Sequence, residues 1–492
     1  MILIIFLLYV AAMVGIGVFY MRKNKSMDDY FLGGRTLNPW VAAMSASASD
    51  MSGWLLTGLP GLAFLSIAGA KEAFWTAAGL LIGTYLNWLF VAKRLRAYTE
   101  VSKNSLTLPE FFENRFRDKK GLLKIICALF ILVFFTVYTA SMFSASAKLF
   151  TNIFGLNYHA ALIIGVVVIL AYTVLGGFLA VSMTDLIQGV LMFIALLIVP
   201  VIAIFFDPVV DPAAGIQAVK EGFTNIFPQN GDISVILIFS ALAWGLGYFG
   251  QPHILVRFMG IKKSSYVRPA RIISIIWVFL TMAGALAVGF VGKLYFAGSL
   301  TDSETVFMSM VNGLFPVVIA GVFLAAILAA IMSTADSQLL VAASAFSNDI
   351  FKKIKKNATE KHTVWASRLT VVVLSVISAV LASNPDSSIF NIVSFAWGGF
   401  GGAFGPAILF SLFWKRTNLP GIYAGILSGG LGSFLFYYLK VNVGGIFGVY
   451  EILPAFILSS LLIIVVSLAT KKPSEEICEE FDRAKLAANA KD

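Results

Sequence analysis

The sequence has little charge, two cysteines and three histidines, and these scarcities limit the classes of protein it can encode. Cys127 lies in an apolar run and Cys478 in a charged tail, so the cysteines indicate neither a disulfide framework nor a zinc site. The absence of a P-loop and of a nucleophile–base motif argues against an enzyme. With 59% hydrophobic and 13% charged residues, the 492-residue chain has more apolar surface than a soluble core can bury. It is predicted to be a membrane protein.

Apolar runs long enough to cross a bilayer recur from one end of the chain to the other, and the mean hydropathy is +0.88. About 20 apolar residues span the hydrocarbon core as one helix. Thirteen such runs lie at residues 1–21, 39–66, 73–93, 124–147, 157–180, 184–206, 233–251, 272–296, 314–345, 364–383, 388–414, 420–439 and 450–470. We therefore expect an all-α polytopic membrane protein with about thirteen transmembrane helices.

The distribution of basic residues predicts the orientation of the chain. No basic residue precedes the first run, and Arg22, Lys23 and Lys25 follow it, so we expect a retained helix with its N-terminus outside rather than a signal peptide. With thirteen spans, all but five of the 36 Lys and Arg residues fall on the cytoplasmic side, together with the C-terminus. The net charge of +10 then needs no nucleic acid. We expect a multi-pass protein of the cell membrane, surrounded by lipid.

Two polar, glycine-containing stretches interrupt the apolar runs. "SASASDMSGWLLTGLPG" (45–61) lies in the second run and "AWGLGYFGQP" (243–252) in the seventh. Unwound backbone survives at membrane depth only where protein or a polar cavity surrounds it, and transporters bind substrate and ions at such breaks. The separation of five spans predicts two inverted repeats of five helices, spans 2–6 and 7–11, each opening with a discontinuous helix.

This repeat divides the chain into five segments. They are an extra helix and loop (1–38), a first repeat (39–206), a second repeat (207–414), two C-terminal helices (415–470) and a partly flexible cytoplasmic tail (471–492).

The alternative to a helix break is that the small residues only permit close helix packing, which we favour for the glycines of 397–405. Packing does not explain Asp50, because an ionisable residue within a span is costly and normally marks a site.

Six segments make the chain resemble a known family. They are "DDYFLGGR", "SASASDMSGWLLTGLPG", "FFTVYTAS", "GGFLAVSMTDLIQ", "WGLGYFGQPHILVRFM" and "AAIMSTADSQLL". In this order they are similar to the sodium:solute symporter family, and "DMSGWLL" followed by "GLPG" resembles its sodium/proline branch. The resemblance implies a LeuT-like transporter that imports L-proline with sodium by alternating access. A different amino acid, a sugar or a vitamin is the alternative solute.

The resemblance also implies a sodium ion bound by protein oxygens. Its ligands would be the carbonyls of Ala48, Met51 and Ala330 and the hydroxyls of Ser333 and Thr334. The residues suit this role, because a helix that ends in span 2 leaves carbonyls unpaired. The three residues of span 9 also share one helical face. Hydroxyls that bond back to their own helix are the alternative for Ser333 and Thr334.

Asp50 and Arg35 are each open to more than one interpretation. Asp50 could ligate the ion, balance its charge through water, or cap the restarting half-helix. Because the family treats this position as necessary for sodium use, we favour a sodium-linked role. Arg35, in "GGRTLN", matches a family position tied to coupling, but a positive-inside anchor would explain it equally well.

We expect no Arg or Lys deep in spans 2–11, so a substrate carboxylate needs another partner. Free N–H groups near Ser52 and Gly53 would supply it, as helix N-termini bind anions. Unpaired carbonyls at the break in the seventh span would receive the ammonium group. The walls around the ring would come from aromatic residues that match family positions implicated in proline binding, with a proline at the bend: Trp54, Tyr138, Trp244, Tyr248 and Pro252.

A further candidate site lies towards the predicted cytoplasmic end. Ser333, Asp336 and Ser337 continue one face of span 9, and Asp185 lies near the inner end of its own span. Some relatives hold a second cation near the equivalents of Asp185, Ser333 and Ser337, whereas proline symporters often carry serine where this chain has Asp336. We predict an exit way-station or a second sodium site, with a water-exposed carboxylate at the inner mouth as the alternative. The sequence leaves the oligomeric state open.

Overall fold

The computed structural model describes residues 1–21, 27–173, 177–207, 209–229, 234–297, 299–355 and 357–490, and these ranges are almost entirely helical. Their one extended pairing is an isolated parallel bridge between Leu37 and Ile261. Ten helices within these ranges are long and apolar enough to cross a membrane, and the bent pair Val235–Gly250 and Pro252–Met259 makes an eleventh. The prediction of an all-α protein with many spans is confirmed, and the count of thirteen stays a prediction.

The first half contains long helices and several shorter ones between them. They are α1 (Ile2–Met21), α2 (Met27–Leu32), α3 (Pro39–Asp50), α4 (Gly53–Leu56), α5 (Gly58–Leu65), α6 (Ile67–Leu86), α7 (Ala92–Val101), α8 (Leu108–Phe116), α9 (Leu122–Phe154), α10 (Tyr158–Thr173), α11 (Phe178–Phe205) and α12 (Pro212–Thr224). A 3-10 turn, Gly33–Arg35, follows α2, and a π-helical turn, Asn87–Val91, joins α6 to α7.

The second half begins with two short helices, and most of its later helices are long. They are α13 (Val235–Leu242), α14 (Pro252–Met259), α15 (Val267–Tyr295), α16 (Val306–Leu314), α17 (Val317–Ser344), α18 (Lys352–Ile354), α19 (Glu360–Leu381), α20 (Ile389–Phe413), α21 (Leu419–Asn442), α22 (Ile452–Ala469) and α23 (Glu475–Asn489). A 3-10 segment, Ala243–Gly250, joins α13 to α14, and a π-helical turn, Ala345–Phe351, follows α17. Further 3-10 turns are Ser264–Tyr266, Ser303–Thr305 and Gly445–Gly448.

Side-chain caps fix where several helices begin. Asn38 accepts a hydrogen bond from the Val41 N–H at 3.0 Å, and Pro39 occupies the first turn of α3. Thr107 caps α8 in the same way, since its hydroxyl accepts from the Glu110 N–H at 3.1 Å. Both caps satisfy N–H groups that have no partner inside the helix, and they set the starts of α3 and α8.

Helices α17 and α20 form the centre of the bundle. Their apolar windows are 78% and 83% buried, compared with 17% for α1, which therefore lies at the periphery. Glycines let backbones touch around this centre: a Cβ on Gly83 would lie 2.3 Å from the Gly245 carbonyl oxygen, and one on Gly429 would lie 2.0 Å from that of Gly402. Such contacts support the packing interpretation for the glycines of 397–405.

The prediction of a partly flexible tail is wrong for 475–489, which form α23 packed on the bundle. Phe481 is 7% exposed, and its ring centroid lies 6.1 Å from that of Tyr98 on α7. Arg117 forms ion pairs with Glu480 at 2.6 Å and with Glu476 at 2.9 Å. Most of the charges that suggested a solvated tail lie on the exposed side of an amphipathic helix, and its buried side carries Phe481 and the paired Glu480.

Candidate sodium and substrate site

Helix α3 stops at Asp50, and helical backbone resumes at Gly53. In a continuous helix the Ser52 N–H would bond to the Ala48 carbonyl, but here it bonds to the Asp50 carbonyl at 2.8 Å. The Ala48 carbonyl therefore lacks its helical partner. Met51 lies at the break itself, with φ −77° and ψ 72°.

Four of the five predicted sodium ligands meet at this break. The single proton of the Ser333 hydroxyl can go to the Ala48 carbonyl at 2.8 Å or to the Ala330 carbonyl at 3.1 Å, and the Thr334 hydroxyl donates to Ala48 at 3.5 Å. The contact with Ala330 is the bond back to its own helix that was the alternative for Ser333. All four residues are fully buried. Met51, the fifth, is also fully buried. Carbonyl and hydroxyl oxygens are the ligands that transporters offer to sodium, so the grouping suits the ion, while the ligand assignment stays a prediction.

Asp50 connects the break in α3 to the 3-10 segment. Its Oδ2 accepts a hydrogen bond from the Tyr248 hydroxyl, and its Oδ1 has no partner in the described part of the chain. The restarting helix is capped by Ser52, whose hydroxyl accepts from the Trp54 N–H at 3.4 Å. The interpretation of Asp50 as that cap is therefore wrong, and its carboxylate can serve the sodium-linked role.

Little space surrounds this carboxylate in the present structure. The cavity beside it has a volume of about 10 Å³, and its lining includes Asp50, Thr84, Asn87, Tyr248 and Ser274. A volume of this size holds about one water molecule. Binding of a larger solute here therefore requires side chains or half-helices to move.

Three of the predicted aromatic residues form one wall with a fourth aromatic residue. The ring centroids of Trp54 and Trp244 are 6.2 Å apart, and the Tyr248 ring meets that of Trp397 edge-on at 5.1 Å. The Trp397 indole N–H donates to the Trp244 carbonyl at 2.8 Å. Pro252 starts α14, where the chain bends by 45°.

The remaining predicted substrate residues are Tyr138, Ser52 and Gly53. Tyr138 of α9 is fully buried, and its ring centroid lies 6.2 Å from that of His253. The Ser52 N–H, which was predicted to be free, bonds to the Asp50 carbonyl in this structure. Gly53 packs closely, since a Cβ there would lie 3.1 Å from side chains of α9 and α17.

Arg257 contradicts the expectation of no basic residue deep in spans 2–11. This residue of α14 is fully buried, and its guanidinium donates to Asp185 at 3.3 Å, to Ser337 at 2.6 Å and to Ser45 at 3.1 Å. The predicted exit or second-cation site thus contains a charge from the protein itself. Asp336 is fully buried on α17 in this structure, where it is not a water-exposed carboxylate.

Arg35 joins three parts of the chain. Its guanidinium donates to the Asn104 amide oxygen (2.9 Å), the Thr99 hydroxyl (3.2 Å), the Ser105 carbonyl (3.0 Å) and the Met259 carbonyl at the end of α14 (2.7 Å). Burial and, to a smaller extent, repulsion from another arginine lower the pKa of Arg35 to about 10, so it stays charged at neutral pH. A simple anchor at the membrane surface needs none of these bonds, and the coupling role stays a prediction.

The profile of the sodium:solute symporter family matches residues 30–429. The chain belongs to the sodium:solute symporter family. A sodium/proline symporter from Haemophilus influenzae is 46% identical over 99% of this chain and 98% of its own length. An osmoregulated proline transporter from Bacillus subtilis is 45% identical over 95% and 94%. A solved sodium-coupled sialic acid symporter in a substrate-bound, outward-open state covers 96% of this chain and 98% of its own with a TM-score of 0.80, and at 19% identity it shows the fold alone.

Sequence reasoning missed two residues of this family member. Trp397 was passed over because glycines surround it, although a bulky indole among glycines is itself a signal of close approach: a Cβ on Gly247 would lie 1.9 Å from its Nε1. Arg257 stands only five residues before Lys262 and Lys263, which makes it look like part of a basic loop. Its apolar flanks, "HILV" and "FM", were the signal that it lies inside the helix.

Proposed function

We propose that this chain imports L-proline into the cell by symport with sodium through alternating access. The observation that carries the proposal is the hydrogen bond from Tyr248 to Asp50, because it joins the oxygens grouped at the break in α3 to the aromatic wall of the 3-10 segment. The identity of the substrate is inferred from the relatives, which are named for proline and match nearly the whole chain.

The proposed architecture has thirteen spans and a LeuT-like repeat. Two shorter apolar helices, Gly53–Leu65 and Tyr158–Ala171, added to the eleven long or bent ones support this count. We place the N-terminus outside and the C-terminus in the cytoplasm, with repeats at 39–206 and 207–414. The extra helix and loop are then 1–38, and 415–470 and 471–492 complete the chain.

In the proposed sodium site, the carbonyls of Ala48, Met51 and Ala330 and the hydroxyls of Ser333 and Thr334 surround the ion. The negative end of the α3 dipole also favours a cation at this place. For the ion to bind, the two hydroxyls turn their protons away from the Ala48 carbonyl and present lone pairs instead. Asp50, whose Oδ1 is free of protein partners in the described ranges, would balance the charge nearby.

In the proposed substrate site, the proline ring lies against Trp54, Trp244 and Tyr248, with Tyr138 on the facing helix. We place the carboxylate near Ser52 and Gly53, which requires the Ser52 N–H to leave the Asp50 carbonyl, and Pro252 marks the bend. A charge crossing 100 mV gains about 2.3 kcal/mol, and a tenfold sodium gradient adds about 1.4 kcal/mol. One sodium could therefore hold a zwitterion at a gradient of roughly several hundred-fold.

The test is uptake of radiolabelled L-proline by the purified chain in liposomes. We expect accumulation under an inward sodium gradient, a further increase with a negative interior potential, and only equilibration with equal sodium on both sides. Competition by unlabelled amino acids, sugars and vitamins separates proline from the alternative solutes. Uptake that ignores sodium, or a sodium flux that needs no solute, would contradict symport; the second result is that of a channel.

A further inference from the structure

A guanidinium lies directly beside the predicted sodium site. Arg257 donates through Nε to the Ser45 hydroxyl (3.1 Å) and through Nη2 to Asp185 Oδ2 (3.3 Å) and the Ser337 hydroxyl (2.6 Å). Ser45 also donates to Asp185 Oδ2 at 2.6 Å, and all four residues are fully buried. The cluster therefore joins α3, α11, α14 and α17 around one ion pair.

The side-chain oxygens of Asp185, Ser45 and Ser337 beside the guanidinium are of the kind that a hard cation would use. One carboxylate and two hydroxyls come from three different helices, as in an ion site of a transporter. A buried carboxylate without a partner charge is strongly destabilising, so Asp185 stays ionised in the bundle only beside a cation and otherwise takes up a proton. In this chain that cation is the guanidinium of Arg257.

The register of the helices places this charge next to the sodium oxygens. Ser45 precedes Ala48 by three residues on α3, and Ser337 follows Ser333 by four on α17. On both helices the displacement is about one turn, roughly 4.5 Å along α3 and roughly 6 Å along α17. Both displacements point towards the end proposed to face the cytoplasm, so the ion pair lies where a sodium ion would pass or a second one would bind.

The guanidinium is also held firmly in its own helix. Its Nη1 donates to the His253 carbonyl at 2.8 Å, and its Cζ lies 5.3 Å from the ring centroid of Phe178 on α11. An arginine side chain keeps its charge at any physiological pH. Unlike a bound ion, it does not leave with the substrate.

We propose that Arg257 is a tethered cation that takes the place of a second sodium ion at Asp185, Ser45 and Ser337, and so limits this chain to one sodium per proline. The inference rests on the proposed symport of sodium and proline. In this interpretation, the second cation predicted from the sequence is the guanidinium itself. A chain that has the oxygens for two cations would therefore transport one sodium ion.

The test is to remove the charge and count sodium. In liposomes, uptake of radioactive sodium and of proline gives the coupling ratio, and in detergent the sodium dependence of proline binding gives a Hill coefficient. We expect both to be one in the unmodified chain and to rise towards two in Arg257→Gln, because sodium then neutralises Asp185. Arg257→Lys, which keeps a charge, should stay at one. Arg257→Gln combined with Asp185→Asn should return to one, because the second site loses its carboxylate.

Each outcome bears on the inference separately from the symport itself. An unmodified chain without sodium-driven proline uptake would contradict the proposed function, whereas one with a ratio of two would contradict only the tethered cation. A ratio of one in Arg257→Gln would overturn the inference. Assembly is checked by the yield and the thermal midpoint in sodium and in potassium. A variant that is stabilised by sodium alone supports the inference, and one that fails to assemble in both ions overturns it, because sodium must be able to replace the guanidinium.

Discussion

Replacing Gly247 with alanine should weaken proline binding through Trp397. An added Cβ would lie 1.9 Å from the Trp397 Nε1, far closer than any real contact. That nitrogen donates to the Trp244 carbonyl at 2.8 Å, and the same indole lies edge-on to Tyr248 at 5.1 Å. Trp397 is 1% exposed, so it has no free space to move into. The alanine must push the indole out of the aromatic wall.

The expected magnitude follows from the contacts that are lost. Overpacking a tight interior costs about 1–3 kcal/mol. Because the aromatic wall is proposed to close around proline, we expect this cost to fall mainly on the bound state and to be relieved when the site opens. The Kd for proline should therefore rise by roughly 5- to 150-fold, since about 1.4 kcal/mol corresponds to a factor of ten. The number of binding sites should not change.

The assay is equilibrium binding of radiolabelled proline to the purified chain at saturating sodium. Gly15→Ala is the matched control, because a Cβ on this helical glycine of α1 would meet nothing within 4 Å. Trp397→Phe in the Gly247→Ala chain removes the clashing nitrogen, so the two substitutions should be clearly non-additive. Parental affinity and thermal stability in Gly247→Ala would refute the packing of Trp397 against the 3-10 segment.

Three further substitutions test the proposed sites. Ser333→Ala should raise the sodium concentration for half-maximal proline binding by about 10- to 150-fold, the loss of one contact to a charge. Ser459→Ala, which removes an equally buried hydroxyl on α22, should leave it unchanged; equal effects would contradict the sodium site. Tyr248→Phe leaves Asp50 without its donor, so we expect the binding affinities for sodium and proline to fall together, and a loss confined to proline would disprove this link. Arg35→Lys keeps the charge without the planar fork, so proline uptake should fall several-fold while binding persists; unchanged uptake would support a simple anchor.

The position of the site could be predicted because one charged residue lies in an otherwise apolar span. Asp50 in an apolar span is costly enough to demand a functional reason, and the serines and glycines around it disfavour a helix. The shared face of Ala330, Ser333 and Thr334 follows from helical periodicity alone. These features are local in the chain, so spacing and composition were sufficient to predict them, and the structure groups three of the four residues named here with the Ala48 carbonyl.

Contacts between distant helices could not be predicted in this way. Arg257 and Asp185 are 72 residues apart, and periodicity says which residues share a face but not which helix that face meets. For the same reason, the close contact between Trp397 and Gly247 could not be predicted from the sequence. For 475–489 the error was different, because charge was weighed without the apolar face: Phe481 and Ala484 already lay on one side of a helix.

Coupling between sodium and proline follows from how α3 and α14 are joined. The Tyr248 hydroxyl links the 3-10 segment before α14 to Asp50, and the Leu37–Ile261 bridge links the residues before α3 to those after α14. Arg35 strengthens the second link through the Met259 carbonyl. Because the two half-helices are tied at both ends, we propose that an ion that draws the Ala48 carbonyl towards α17 also shifts the wall proposed to contact proline. Linkage then requires sodium to raise the affinity for proline by the same factor as proline raises the affinity for sodium.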